Sequence, residues 1–372
     1  MTTVVVAGAL ANKPANGGGA WSRLTLVRGL LELGVDAYLV EELPDANDAS
    51  IDFFSAAVLE LGLEQRATLI VGSGEDSVGL GFGALRELAE TADLLVNVSG
   101  HLRRSSLREL FRYRAYLDLD PGFTQCWQAA GIAGAGLEGH DIYFTVGANI
   151  GQAWCPIPTC GIDWRPMLQP VVLDDWPVVE GSTGGFTTVS SWRGPYGPVE
   201  LDGRRYGVKA HEFRRFITLP QLTGQRFELA LDIDPSESAD LSLLDEHDWG
   251  VVKAPDVAGT PESYRAYLQA SAAEFCVAQG VYVHTSSGWF SDRTVRYLAS
   301  GKPALVQDTG FGRHVPTGMG LVPFATLEDA VTGAASIAQD YEGHCHAARA
   351  LAERYFDARL VLARLLDECG VS

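Results

Sequence analysis

Apolar runs of strand length alternate with amphipathic helical stretches from the start of the chain, and this alternation restricts the fold more than any other feature. Thr3–Ala9 reads as a buried strand. Trp21–Leu33 reads as a helix with Leu24, Leu26, Val27, Leu30 and Leu31 on its apolar face, ended by Gly34, and Asp36–Val40 as the next strand. Further strands are predicted at Thr68–Val71, Leu94–Val98, Ala115–Leu119 and Ile142–Val146. Repeated strand–helix–strand units require a mainly parallel sheet with helices on both faces. Each strand then aims the polar or glycine-rich residues behind it at the carboxyl edge, where open α/β sheets bind ligands.

Between Pro156 and Pro177 the pattern gives way to a proline-punctuated, tryptophan-bearing segment that reads as an interdomain linker, finished by Gly181–Gly185. A second alternation follows, with strands predicted at Phe186–Ser191, Phe227–Asp232, Gly250–Val252, Val281–Val283 and Ala304–Gln307, and helices at Tyr264–Ala278 and Arg293–Ser300. The 372 residues suit two cores better than one. The expected architecture is α/β: two Rossmann-like domains facing a cleft, with residues 1–178 forming the first domain plus linker and 179–350 the second. Glu328–Glu368 is predicted helical, and an interruption at Tyr355–Asp357 turns residues 351–372 back toward the first domain.

The formal charge of −19 argues against a nucleic-acid partner, because a footprint on phosphates needs clustered Lys and Arg. The same charge disfavours an anionic membrane surface. No apolar run approaches the ~20 residues that span a bilayer, and the N-terminal MTTVVVAGAL lacks the basic start of a signal peptide. A cytoplasmic monomer or homodimer is expected, with Cys126, Cys155, Cys160, Cys276, Cys345 and Cys369 as reduced thiols. His344-Cys345-His346 has the residue types of a zinc site, but adjacent helical residues point in different directions. No metal site is expected.

Several strand ends carry candidate chemistry. The run Lys13–Trp21 contains Gly17, Gly18 and Gly19 but neither the G-x-G-x-x-G spacing nor the Lys-Ser/Thr of a P-loop, so a bound dinucleotide cofactor is disfavoured. Those glycines are read as a cleft loop whose bare backbone lies close to a ligand. His101 follows the strand ending at Val98 and has a side chain suited to taking a proton from a hydroxyl. Asp118 and Asp120 share a strand face, and Asp120, just before Pro121, should lie nearer the cleft. An Asp-x-Asp of this kind is also compatible with metal binding. Asp120 and His101 are the candidate acceptor-side bases, with His140 and Asp141 next in line. In the second half, Ser291 or Asp292 caps a helix with Arg293 in its first turn, an arrangement suited to a diphosphate.

The segments Ser287–Arg293 (SGWFSDR), Tyr297–Pro303 (YLASGKP) and Gln307–Phe311 (QDTGF) resemble the C-terminal domain of GT-B glycosyltransferases, in particular a bacterial group. The likeness extends through Lys13–Trp21, Asn97–His101, Tyr116–Pro121, Ser191–Gly194 and Lys209–Phe213. It implies a nucleotide-diphosphate sugar as donor substrate, no cofactor, and transfer to an acceptor hydroxyl; the absence of a well-spaced carboxylate or histidine cluster adds the expectation that transfer needs no metal. Donor contacts implied or suggested are Arg193, Lys209, Ser287, Gly288, Trp289, Ser291, Asp292, Arg293, Asp308 and Thr309. Retaining members place a glutamate where this chain has Arg296, so the stereochemical outcome stays open. A sugar-nucleotide epimerase or hydrolase, or a non-catalytic binder, would use the same scaffold.

Overall fold

The computed structural model describes residues 2–132, 134–181 and 184–371. Ser182 and Thr183, inside the linker end expected at Gly181–Gly185, lie outside the described residues.

The first sheet is built from β1 (Thr3–Ala7), β2 (Asp36–Leu43), β3 (Ala67–Val71), β4 (Ser77–Gly79), β5 (Leu94–Val98), β6 (Arg114–Asp118), β7 (Ile142–Thr145) and β8 (Trp164–Pro166). Their spatial order is β4-β3-β2-β1-β5-β6-β7-β8, parallel except for the β3–β4 pair. The second half holds β9 (Phe186–Ser191), a small hairpin of β10 (Val199–Leu201) and β11 (Arg204–Tyr206), and then β12 (Phe227–Asp232), β13 (Trp249–Lys253), β14 (Ala273–Cys276), β15 (Ala304–Gln307) and β16 (Leu321–Phe324). Its sheet runs β13-β12-β9-β14-β15-β16, all parallel. In each sheet the order reverses beside the first strand, between β1 and β5 and between β9 and β14. Ligands of doubly wound sheets bind at such switch points.

Three sequence-based assignments are corrected. Ala273–Cys276, expected inside a helix, is β14, and Val281–Val283, expected as a strand, lies in the short helix Gly280–His284. The helix Pro261–Ala270 stops because Ser271 turns extended. Beyond it, Phe275 packs against Phe213, Phe216, Phe227, Trp249 and Phe324 on one face while Glu274 and Cys276 are buried on the other, the two-sided burial of a central strand. Trp164–Pro166, expected as linker, pairs with β7 as an edge strand.

The chain's end crosses back as expected. The Val171 amide donates to the Phe356 carbonyl and the Ala358 amide to the Val171 carbonyl, each at 2.8 Å. The helix Ala358–Glu368 then packs on Gly17–Glu32 so closely that a Cβ on Gly29 would lie 2.6 Å from Leu362. Phe356 is fully buried and stacks on Phe290, with centroids 5.1 Å apart. Phe356→Ala should therefore lower stability by about 3–5 kcal/mol, read as a drop in denaturation midpoint. A loss below about 1 kcal/mol would show that the returning segment docks only weakly.

Candidate active site

The helix after β1 begins with the three glycines, and the reason lies across the cleft. A Cβ on Gly17 would stand 2.1 Å from the Thr260 carbonyl oxygen, and one on Gly18 2.8 Å from the Tyr264 ring. Only glycine permits this approach. Asn16 caps the helix by accepting from the Gly19 amide at 3.0 Å, and the Trp21 indole donates to the Pro261 carbonyl at 2.8 Å. The glycine run is thus the first turn of a helix pressed on the second domain.

Beside that contact opens a cavity of about 400 Å³. Lys13, Asn16, Gly18, Gly19 and Ser22 face it from the first domain, and Val189–Ser191, Lys209, Asp232, Tyr264, Asp292 and Arg293 from the second. Lys13 and Asp232, both half exposed, pair at 2.6 Å at its edge. The Lys209 ammonium donates to Ser190 Oγ at 2.8 Å. Burial, helped by the charge of Arg293, pushes that ammonium down to about 8.

Arg293 is engaged inward. Its Nε donates to Glu274 Oε1 at 2.6 Å, Nη1 to the Val189 carbonyl at 2.8 Å and Nη2 to Cys276 Sγ at 3.0 Å. Glu274 is fully buried, and separating one partner of such a pair costs about 3–5 kcal/mol. Lys209, with one hydroxyl as its hydrogen-bond partner and no carboxylate, keeps donors to spare. Asp292 accepts from Ser22 Oγ across the cleft and from Arg296 Nη1 at 2.7 Å. Burial works to raise its carboxyl, but Arg296 and Ser22 outweigh this and hold it below the usual range.

A second cluster occupies the ends of β5 and β6. Asp118, fully buried, accepts from the side chains of Thr124, Gln125 and Thr145 at 2.8 Å each and from the Asp120 amide at 3.1 Å. These bonds fix the turn that presents Asp120, whose Oδ2 accepts from the Tyr196 hydroxyl of the second domain at 3.3 Å. Burial and the Asp118 charge raise Asp120 to about 6. At the end of β5, burial and the charges of Arg23 and Arg103 push His101 down to about 4, so it is neutral at pH 7. His140 and Asp141 are tied within the first domain, to Asn97 and Arg114.

The remaining candidates lie elsewhere. Arg193 is exposed and paired with Glu237. Ser287, Gly288, Trp289 and Thr309 form a seam between the domains: the Ser287 carbonyl accepts from the Asn149 amide at 3.0 Å, Gly288 donates to the Thr309 carbonyl at 2.7 Å, and Thr309 Oγ1 donates to the Trp289 carbonyl. Ser291 caps its helix through the Arg293 amide at 3.3 Å, and Asp308 is exposed and caps Gly310 at 2.8 Å. Ser22, Arg23, Ser190, Tyr196, Tyr264 and Tyr282 join the site without having been singled out by any local motif. Among the described residues no group of three or more His, Cys, Asp or Glu side chains is placed to hold a metal ion, and no helix is long and apolar enough to cross a membrane.

Comparison with solved structures gives full-length likenesses. An alpha-glucosyltransferase in complex with UDP-glucose and DNA aligns over 99% of both chains with a TM-score of 0.64 and 10% identity. Sucrose-phosphate synthase from Thermosynechococcus elongatus aligns over 99% of both at 0.57 and 13%. AviGT4, a glycosyltransferase involved in avilamycin A biosynthesis, aligns over 100% of this chain and 97% of its own at 0.57 and 13%. The fold is GT-B. No family model matches the chain, and no curated protein does.

One expectation is overturned. Excluding nucleic acid on net charge fails, because the alpha-glucosyltransferase that shares this fold has been solved repeatedly with DNA bound. Net charge sums the whole surface, whereas a footprint is local. This chain concentrates Arg103, Arg104, Arg108, Arg112 and Arg114 just past β5.

The cavity's cation, serine hydroxyls and helix start suit a diphosphate. Lys209→Gln should weaken binding of inorganic pyrophosphate by tenfold to about a hundredfold, measured by calorimetry, with the melting temperature nearly unchanged. The charged ammonium is the binding form, so wild-type affinity should fall as pH rises through about 8, and Lys209→Gln should lose that step.

Proposed function

We propose that the protein is a glycosyltransferase that takes a sugar from a nucleoside diphosphate donor in the Lys209 cavity and delivers it to an acceptor hydroxyl at Asp120. The observation that carries this reading is the cavity itself, where a helix start and a lysine unpaired with any carboxylate, from facing GT-B domains, meet around a space of about 400 Å³. Structures of this fold that hold UDP or UDP-glucose support it. In the step, the acceptor oxygen forms a bond to the anomeric carbon, the carbon–oxygen bond to the β-phosphate breaks, and the hydroxyl proton passes to Asp120. The diphosphate leaves carrying the developing charge, which Lys209 in the cavity wall is positioned to stabilise.

Asp120 suits the base role better than His101, because a carboxyl near 6 lies close to working pH, whereas an imidazole near 4 is a weak acceptor. The reading includes metal-independent transfer, a first domain of residues 1–178, a second of 179–350 and a returning segment of 351–372. It places the protein in the cytoplasm, on the support of six free cysteines. Kinship with the bacterial GT-B group belongs to the same proposal, supported by the SGWFSDR, YLASGKP and QDTGF segments.

The test is UDP release from UDP-glucose, with and without acceptors that include simple sugars and DNA oligonucleotides. Acceptor-dependent release is expected; equal release without acceptor would mean hydrolysis, and none with any nucleotide sugar would mean a binder. Asp120→Asn should lower turnover by about 10²–10⁴ while UDP affinity persists, and wild-type turnover should rise with pH through about 6 as Asp120 ionises. His101→Ala should cost less. Turnover in EDTA should be undiminished; loss restored by Mg²⁺ or Mn²⁺ would overturn metal independence.

A further inference from the structure

Arg23 lies on the helix Gly17–Glu32, one residue after Ser22, and is partly buried. Its Nε is buried without a hydrogen-bond partner, and Nη1 reaches only the Gly19 carbonyl, at a long 3.5 Å. Neither nitrogen is held by a carboxylate, although the chain has 47 Asp and Glu against 28 Lys and Arg. The carboxylates around it are bound elsewhere. Glu41 accepts from the Leu10, Ala11 and Asn12 amides at 2.8, 2.7 and 3.2 Å, and Asp120 accepts from Tyr196. Arg23's charge bears on Glu41, His101 and Asp120, which places the guanidinium among them.

Arg23 is also not part of the diphosphate cavity's lining, which includes Ser22. Gly8 makes room for it, since a Cβ there would stand 2.8 Å from Arg23 Cγ. Arg103, exposed, adds a second positive charge felt at His101. A partly buried guanidinium that no carboxylate neutralises, beside the attacking site, has the chemistry of an anion receptor.

We infer that Arg23, with Arg103 at the rim, binds a carboxylate or phosphate carried by the acceptor, so that the acceptor is an anionic hydroxyl compound. This inference rests on the transfer reading for the word acceptor, and it separates the anion's place from that of the donor phosphates.

The test uses the full chain saturated with UDP, titrated with glucose 6-phosphate, glucuronate and glucose at constant ionic strength, following melting temperature. One or both anions should raise the wild-type melting temperature above that with UDP alone, and glucose should not. In Arg23→Gln the half-saturating anion concentration should rise about tenfold or more, with an intermediate value in Arg23→Lys and unchanged stabilisation by UDP. Lys209→Gln should show the converse, a weakened UDP response with the anion response intact. The inference is overturned if neither anion adds to UDP, if glucose acts equally, or if Arg23→Gln responds like wild type. An anion effect seen only without UDP also overturns it, by assigning the anion to the donor site. Absence of any UDP response would instead count against the transfer reading.

Discussion

The two domains meet backbone to backbone, and the site depends on that contact. Gly17 and Gly18 lie against Thr260 and Tyr264 with no room for a side chain, and Gly288 does the same against Asn149, where a Cβ would fall 2.8 Å from the amide nitrogen. Asn149 ties both sides together by donating to the Ser286 and Gly310 carbonyls at 2.8 and 3.2 Å. Close approach at these points brings Ser22 within reach of Asp292 and Lys13 within reach of Asp232. A pair of methyl groups at positions 17 and 288 would wedge the domains apart and widen the cavity along with the seam.

Charge is distributed around that contact by burial. Glu274 with Arg293, Glu41 with three amides, and Asp118 with its three side-chain donors are carboxylates taken out of water and compensated locally, which is the condition for keeping them there. Such groups hold strand ends in place. Lys209 differs, since one hydroxyl is its recorded partner and its neighbour Arg293 repels it. A cation left in that condition gains more from an incoming anion than an arginine already neutralised by a buried glutamate.

Much of the fold was legible in the sequence because strand and helix periods are local. Thr3–Ala7, Leu94–Val98 and Phe227–Asp232 emerge as strands, and Ser291 caps the helix Asp292–Ala299 as its type and position imply. Ala273–Cys276 was not legible, because its four residues continue the apolar period of the preceding helix, and only aromatic neighbours from five other segments decide in favour of a strand. At the site, Asp120, Lys209 and the glycines carry local signals as strand-end, helix-start or loop residues. Ser22, Arg23 and Tyr196 carry none. They are ordinary polar positions on a helix and a loop until the chain folds, and Glu274 and Cys276 of β14, with the Val189 carbonyl, turn Arg293 inward, where a helix-cap argument alone points it at phosphate.

Asp120 shows how closure sets reactivity. Burial and Asp118 raise its carboxyl toward neutrality, while Arg23 and the hydroxyls of Tyr196 and Tyr282 stabilise the ionised form and check the rise. Exposed on an open turn, the carboxyl would keep ordinary acidity and be a feeble base. Without Arg23 and the phenols, burial would raise it further. Both domains therefore supply the environment of this carboxylate, Asp118 and Arg23 from the first and the two phenols from the second. Tyr196 holds Oδ2 at 3.3 Å, longer than the usual O–H···O⁻ bond, so exchanging that phenol for an acceptor hydroxyl at normal length gives up little.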